Sequence, residues 1–276
     1  MAADAAPRPP NLTEVAATFR APVAPELFAR LEAVPGYLAH VWPVLKTSID
    51  TEGFIGSALY MADMALDAVE EAYEPVLSPE VLCEVVPPDE IAAVEQALDV
   101  FHYLQPQALL AGAALAEAFD RPSVGGAGRA VPRAERRRGC MHLQAAMPEP
   151  VGATPLTDAV AELLQLDAAP QLYSVLASWP SYLEVAWDEL QHLAAYPNFR
   201  RRGRALYFYA RSGSQFLAEE LRADAVALRA AGIEDAEIEA ARAIVDASLP
   251  ALATMVMHVT AMRLALGHRE REVVTG

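Results

Sequence analysis

Val34-Pro35-Gly36-Tyr37-Leu38, with Trp42 four residues further on, returns as Trp179-Pro180-Ser181-Tyr182-Leu183, with Trp187 again four residues later. Sliding the chain against itself by 145 positions extends the match outward. Val15 meets Val160, Pro25 meets Pro170, Leu27 meets Leu172, Leu31 meets Leu176, Leu45 meets Leu190 and Phe54 meets Phe199. An adjustment of two residues continues it, pairing Ile91 with Ile238, Ala93 with Ala240 and Asp99 with Asp246. Shared Ala and Leu are common in such a composition, whereas Pro, Tyr, Trp and Phe in register are not. Self-similarity at a fixed offset is the signature of a duplicated unit.

Each unit reads as helix after helix. Asn11 followed by Glu14 has the spacing of a capping box, and Pro25 and Pro35 sit where first helical turns tolerate proline. Leu27, Leu31, Leu38 and Trp42 keep a roughly helical apolar spacing. Helices over 54–73, 89–104 and 106–119 follow. No segment alternates apolar and polar residues long enough to predict a strand. The expectation is an all-α fold of two tandem helical repeats related by a pseudo-twofold, with a site at the repeat interface. The divisions are a flexible tail at 1–10, repeat 1 at 11–120, a Gly-, Pro- and Arg-rich linker at 121–156, repeat 2 at 157–268 and a tail at 269–276.

Composition narrows the function. With 54% hydrophobic and 21% charged residues the chain has ample material for a core, and its formal charge is −16. That balance disfavours nucleic acid and anionic membranes, both of which attract basic surfaces. The clusters Arg136-Arg137-Arg138 and Arg200-Arg201-Arg202 read as local solvated charge. Cys83 and Cys140 form no disulfide framework and suit a reducing cytoplasm. Met1–Pro10 lacks the apolar core of a secretory signal. Leu249–Leu266 contains His258 and Arg263 and falls short of a spanning length, so it reads as a buried helix. The expected protein is cytoplasmic, with a small-molecule ligand, no nucleic acid or membrane partner, and pairing into a homodimer as an option.

Four stretches resemble the group I 2-haloacid dehalogenases, which act on both enantiomers of short 2-haloacids. They are Arg20-Ala21-Pro22 through Trp42, Phe101-His102-Tyr103-Leu104-Gln105-Pro106 running on to Arg121-Pro122-Ser123-Val124-Gly125-Gly126-Ala127, Leu176-Ala177-Ser178-Trp179-Pro180, and His258-Val259-Thr260. The Arg-Pro-x-Val-Gly-Gly-Ala run is the most specific. The resemblance implies a pocket between the halves, in which an aspartate helped by an asparagine activates water. The water attacks C2 and expels halide, with no covalent intermediate and no cofactor or metal.

The carried-over positions have all changed. The aspartate falls at Leu172 before Tyr173, the serine before it at Gln171, and the asparagine at Gln105 before Pro106. The pocket tryptophan falls at Val23, the phenylalanine three residues on at Glu26, and a late tyrosine near Val245. Leucine accepts no proton, so that chemistry cannot pass through position 172.

Glu26, repeat mate of Gln171, is the replacement base this reading favours, with Gln105 and Gln171 as amide partners. Its competing role is to complement the dipole of a helix first turn. Val23, Leu172, Tyr173, Tyr103 and Val245 complete the expected lining, although the tyrosines, Tyr182 included, also suit simple packing. Asp246 has the option of facing the pocket, but its repeat mate Asp99 points to a structural role common to both, and Arg211 reads as a surface arginine able to pair with an acid. His102 and His258 lack the spacing of metal ligands. Three functions remain open: an enzyme acting on a small polar or carboxylate-bearing molecule through water activation or acid/base chemistry, a 2-haloacid dehalogenase with its base moved to Glu26, and a non-catalytic binding protein.

Overall fold

A computed structural model describes residues 8–134 and 139–271. Arg136-Arg137-Arg138 and most of the two expected tails lie outside the described residues. The chain is all-α apart from one pair of two-residue strands, β1 (Val124–Gly125) and β2 (Glu220–Leu221), which run antiparallel.

The first six helices are α1 (Leu12–Phe19), α2 (Glu26–Leu31), α3 (Pro35–Ile49), α4 (Glu52–Ala72), α5 (Pro79–Val85) and α6 (Pro88–Asp120). The second six are α7 (Pro155–Leu164), α8 (Gln171–Leu176), α9 (Pro180–Ala195), α10 (Pro197–Gly213), α11 (Ala225–Ala230) and α12 (Asp235–Ala265). Short and long helices come in the same order in both series, ending in helices of 33 and 31 residues.

Local sequence sets most of these starts. Asn11 accepts the Glu14 N–H at 2.8 Å, and Thr51 and Asp224 accept the Phe54 and Ala227 N–H groups at 3.2 and 2.9 Å. The box expected at Asn11 is half formed, because the Glu14 carboxylate turns instead to Trp42 and Lys46. A full capping box opens α7, where Thr154 and Thr157 exchange bonds. Proline occupies the first turn of α3, α5, α6, α7, α9 and α10, where its missing N–H costs nothing.

Two expectations change. The helices expected at 89–104 and 106–119 are one, with Pro106 buried in its interior. An internal proline removes one intrahelical bond and crowds the preceding turn, and here that is outweighed by burial on both sides of it. Leu249–Leu266 likewise belongs to a longer helix, α12, which is long and apolar enough to span a membrane by composition. Most of that apolar window is buried against neighbouring helices.

The core is a bundle in which α4, α6, α10 and α12 each touch the other three, with α6 against α12 the most extensive contact. The short helices cross over: α2 and α3 lie on α12, and α8 lies on α6. α2 and α8 thus each lie on the longest helix of the other series, and their N-terminal ends meet.

The connector between α6 and α7 is pinned rather than free. β1 pairs with β2, the Glu52 and Arg133 N–H groups bond Val131 and Asp50 carbonyls, and the Cys140 N–H donates to the Arg20 carbonyl at 2.9 Å. Gly139 allows that last contact. Its φ is +77°, and a Cβ there would sit 2.3 Å from the Arg20 carbonyl oxygen.

Candidate functional site

Pro25 and Pro170 each end an extended approach, and α2 and α8 begin on the next residues, Glu26 and Gln171. Neither helix receives a bond from its own N-cap side chain, so the exposed N–H groups need partners elsewhere. Glu26 supplies one. Its half-buried carboxylate accepts the Gln171 backbone N–H at 2.9 Å across 145 residues of sequence. In return the Gln171 side-chain amide donates to the Ala24 carbonyl at 3.3 Å. The carboxylate therefore sits in the first turn of its own helix and at the start of another, where two helix dipoles favour negative charge.

Among the described residues, Glu26 Oε2 is committed to that bond and Oε1 to none. The side-chain carbonyls of Gln171 and Gln105 are buried without hydrogen-bond partners. Buried acceptors of this kind are normally satisfied by water or a ligand. Gln105 lies on α6, the helix against which α8 packs.

The remaining candidates separate. Leu172 and Val245 are fully buried core residues, and Val23 packs half-buried against the core. Tyr173 turns away into the interior, where its hydroxyl meets His258 Nδ1 at 2.6 Å and its ring stands edge-on to Trp187. Burial pushes the His258 imidazole down to about 4 and raises the Tyr173 phenol, so both are neutral near pH 7. Tyr103 lies beneath the connector, its ring 5.4 Å from the Arg133 guanidinium. Burial there raises the Cys140 thiol to about 12.

Asp246 is exposed 3.8 Å from Arg242, while Asp99 pairs with Arg263. Arg211 binds Glu117, which also holds Arg121. Gln107, fully buried with its amide carbonyl unpartnered, and buried Arg133 were not singled out from sequence. Gln107 sits in an apolar run like any core position, and nothing local marks Arg133 as buried. Among the described residues no group of three or more His, Cys, Asp and Glu side chains is placed to hold a metal ion.

Three larger cavities lie elsewhere. One of about 950 Å³ is lined by Tyr73, Leu77, Trp187, Glu189, His192 and Tyr196. Another of about 620 Å³ runs past Glu14, Arg20, Lys46 and Asp50. The third, about 750 Å³, opens between α7, α9, α10 and α12. Glu26, Gln105, Gln171 and Leu172 line none of these three.

No protein-family profile and no curated protein sequence matches the chain. Solved structures do. A D-2-haloacid dehalogenase mutant in complex with D-2-CPA aligns at a TM-score of 0.82 with 21% identity, covering 91% of this chain and 89% of that one. A D-2-haloacid dehalogenase in complex with L-LA aligns at 0.81 with 22% identity, covering 92% and 90%. At these identities the likeness speaks for architecture and leaves the chemistry to the residues present. This chain has the all-helical fold of those solved D-2-haloacid dehalogenases over 91–92% of its length.

Proposed function

We propose that the chain is an enzyme that activates water at the α2–α8 junction and acts on a small polar or carboxylate-bearing organic molecule. The observation that carries this reading is the Glu26 carboxylate, anchored through one oxygen by the Gln171 N–H with the other left uncommitted. A base oriented by one hydrogen bond and free at its second oxygen is equipped to take a proton from water. The unpartnered carbonyls of Gln105 and Gln171 supply acceptors for the donor groups of that water or of the substrate. For a 2-haloacid, Glu26 would receive one proton of the water as its oxygen attacks C2 and halide leaves, giving the 2-hydroxy acid. The base would then lie on the first helix series, bonded across the junction to the residue before Leu172.

The experiment measures halide release from a graded set of 2-bromo acids, from 2-bromopropionate to 2-bromooctanoate, with wild type, Glu26→Gln and Glu26→Ala. Gln keeps a side-chain oxygen for the Gln171 N–H but cannot act as the base. The expected outcome is turnover in wild type that falls at least about 100-fold in Glu26→Gln, with thermal stability close to wild type. A Glu26→Gln protein that retains the wild-type rate assigns the base elsewhere.

A second reading, a non-catalytic binding protein, is favoured by one observation: the three larger cavities stand away from Glu26. Absence of turnover across the whole set would favour it.

A further inference from the structure

The cleft between α7, α9, α10 and α12 has walls, a charged rim and a polar floor. Leu163, Leu164, Phe199, Pro250, Ala253 and Met257 form the apolar walls, and the volume of about 750 Å³ is that of a small-molecule pocket. One face of α10 contributes Arg200, Gly203, Arg204, Tyr207 and Phe208, at the i, i+3, i+4, i+7, i+8 spacing of a single helical stripe. Arg200 and Arg204 are exposed at the rim, and among the described residues neither forms an ion pair. In a chain of net charge −16, two arginines left without carboxylates on one pocket edge form a local anion-attracting site.

The floor is His258, fully buried yet part of the cleft lining. Its Nδ1 edge faces Tyr173, which is not a wall residue, and its Nε2 has no hydrogen-bond partner. Phenol is the stronger acid and imidazole the stronger base, so the Tyr173 hydroxyl donates and Nδ1 accepts. The ring proton then resides on Nε2. His258 thus brings to the cleft lining a buried, neutral imidazole N–H with no acceptor in the chain, a group that an acceptor on a ligand can satisfy.

We propose that this cleft is a binding site, separate from the α2–α8 junction, for an amphipathic monocarboxylate. Its carboxylate sits at Arg200 and Arg204, and a carbonyl oxygen in its apolar part accepts from His258 Nε2. A carboxylate at the floor would meet an uncharged donor in an apolar setting and lose its solvation, which fixes the orientation.

The test uses ω-benzoylalkanoates with two to four methylenes and the matching ω-phenylalkanoates, which lack the ketone. Binding is read by titration calorimetry and by the ¹³C-methyl resonance of Met257, assigned through Met257→Leu. At least one keto acid should bind below about 1 mM, shift the Met257 methyl and lose about tenfold in affinity without its ketone. The Arg200→Ala/Arg204→Ala protein, altered only at exposed positions, should lose at least about tenfold for every acid. No Met257 shift with any acid at about 1 mM overturns the proposal, and so does binding indifferent to either the arginines or the ketone. Neither result depends on turnover at Glu26.

Discussion

At the scale of single residues, the Glu26 carboxylate sits in the first turn of its own helix and accepts the first N–H of another. Removing its carboxylate should destabilise the protein by about 1 kcal/mol, the usual worth of a helix cap. Glu26→Gln should recover most of that, as urea unfolding at pH 7 will show. The encounter of positions 26 and 171 was legible in the sequence, because the 145-residue offset pairs them. The Tyr173–His258 bond was not. Its partners lie 85 residues apart, and neither has a local pattern that names the other.

The burial of His258 has a pH signature. Unfolded, the imidazole titrates near 6.5; folded, near 4. Between those values the unfolded chain holds the extra proton, so stability rises with pH there. The contribution is complete above about 6.5 and is lost as pH falls toward 4. At about 1.4 kcal/mol per pH unit, the loss amounts to roughly 3 kcal/mol. Unfolding free energies at pH 7 and pH 5 should differ less in a Tyr173→Phe/His258→Leu protein, in which both polar partners are gone. Equal slopes in the two proteins would contradict the assignment. Tyr173→Phe alone strands Nδ1 in the core and should cost about 1–3 kcal/mol at pH 7.

Among the helices, α6 and α12 form the most extensive contact. At Gly112 a Cβ would lie 3.0 Å from a Leu27 methyl and 3.1 Å from a Leu249 methyl, so α2 and α12 both close on the gap left by the missing side chain. Gly112→Ala gains up to about 1 kcal/mol of helix propensity, while overpacking costs about 1–3 kcal/mol. A net loss is expected, visible as a lower melting temperature; a rise would mean that the leucines relax freely. The start of α6 was readable from Pro87-Pro88-Asp89. Its continuity through Pro106 was not, because proline rules are local and the burial that overrides them is tertiary. The strand pair escaped notice for the same reason, since two residues carry no periodicity.

Over the whole molecule, charge and connectivity set the behaviour. A formal charge of −16 opposes compactness through self-repulsion, which salt screens over about 10 Å at 0.1 M. The exposed ion pairs that salt would also weaken are worth little each. Melting temperature should therefore rise as NaCl is raised from 0.02 to about 0.5 M, and a fall would show that the ion pairs dominate. The all-helical class followed from periodicity, and the likeness to the solved dehalogenase fold from matching stretches spread along the chain. The pinned course of the connector did not, because its bonds are made by backbone atoms that carry no residue identity.

The contact between α6 and α12 also sets an order of events in time. α6 is complete at Asp120, but the helix that covers it ends at Ala265. At typical synthesis rates roughly 10 to 30 s separate the two. Until then the nascent chain carries α6 without its most extensive contact, so a version ending at Gly232 should accumulate in the insoluble fraction. Chaperone occupancy of the nascent chain should fall only when α12 has emerged and closed on α6, making the synthesis of that one helix the step that commits the chain to its native state.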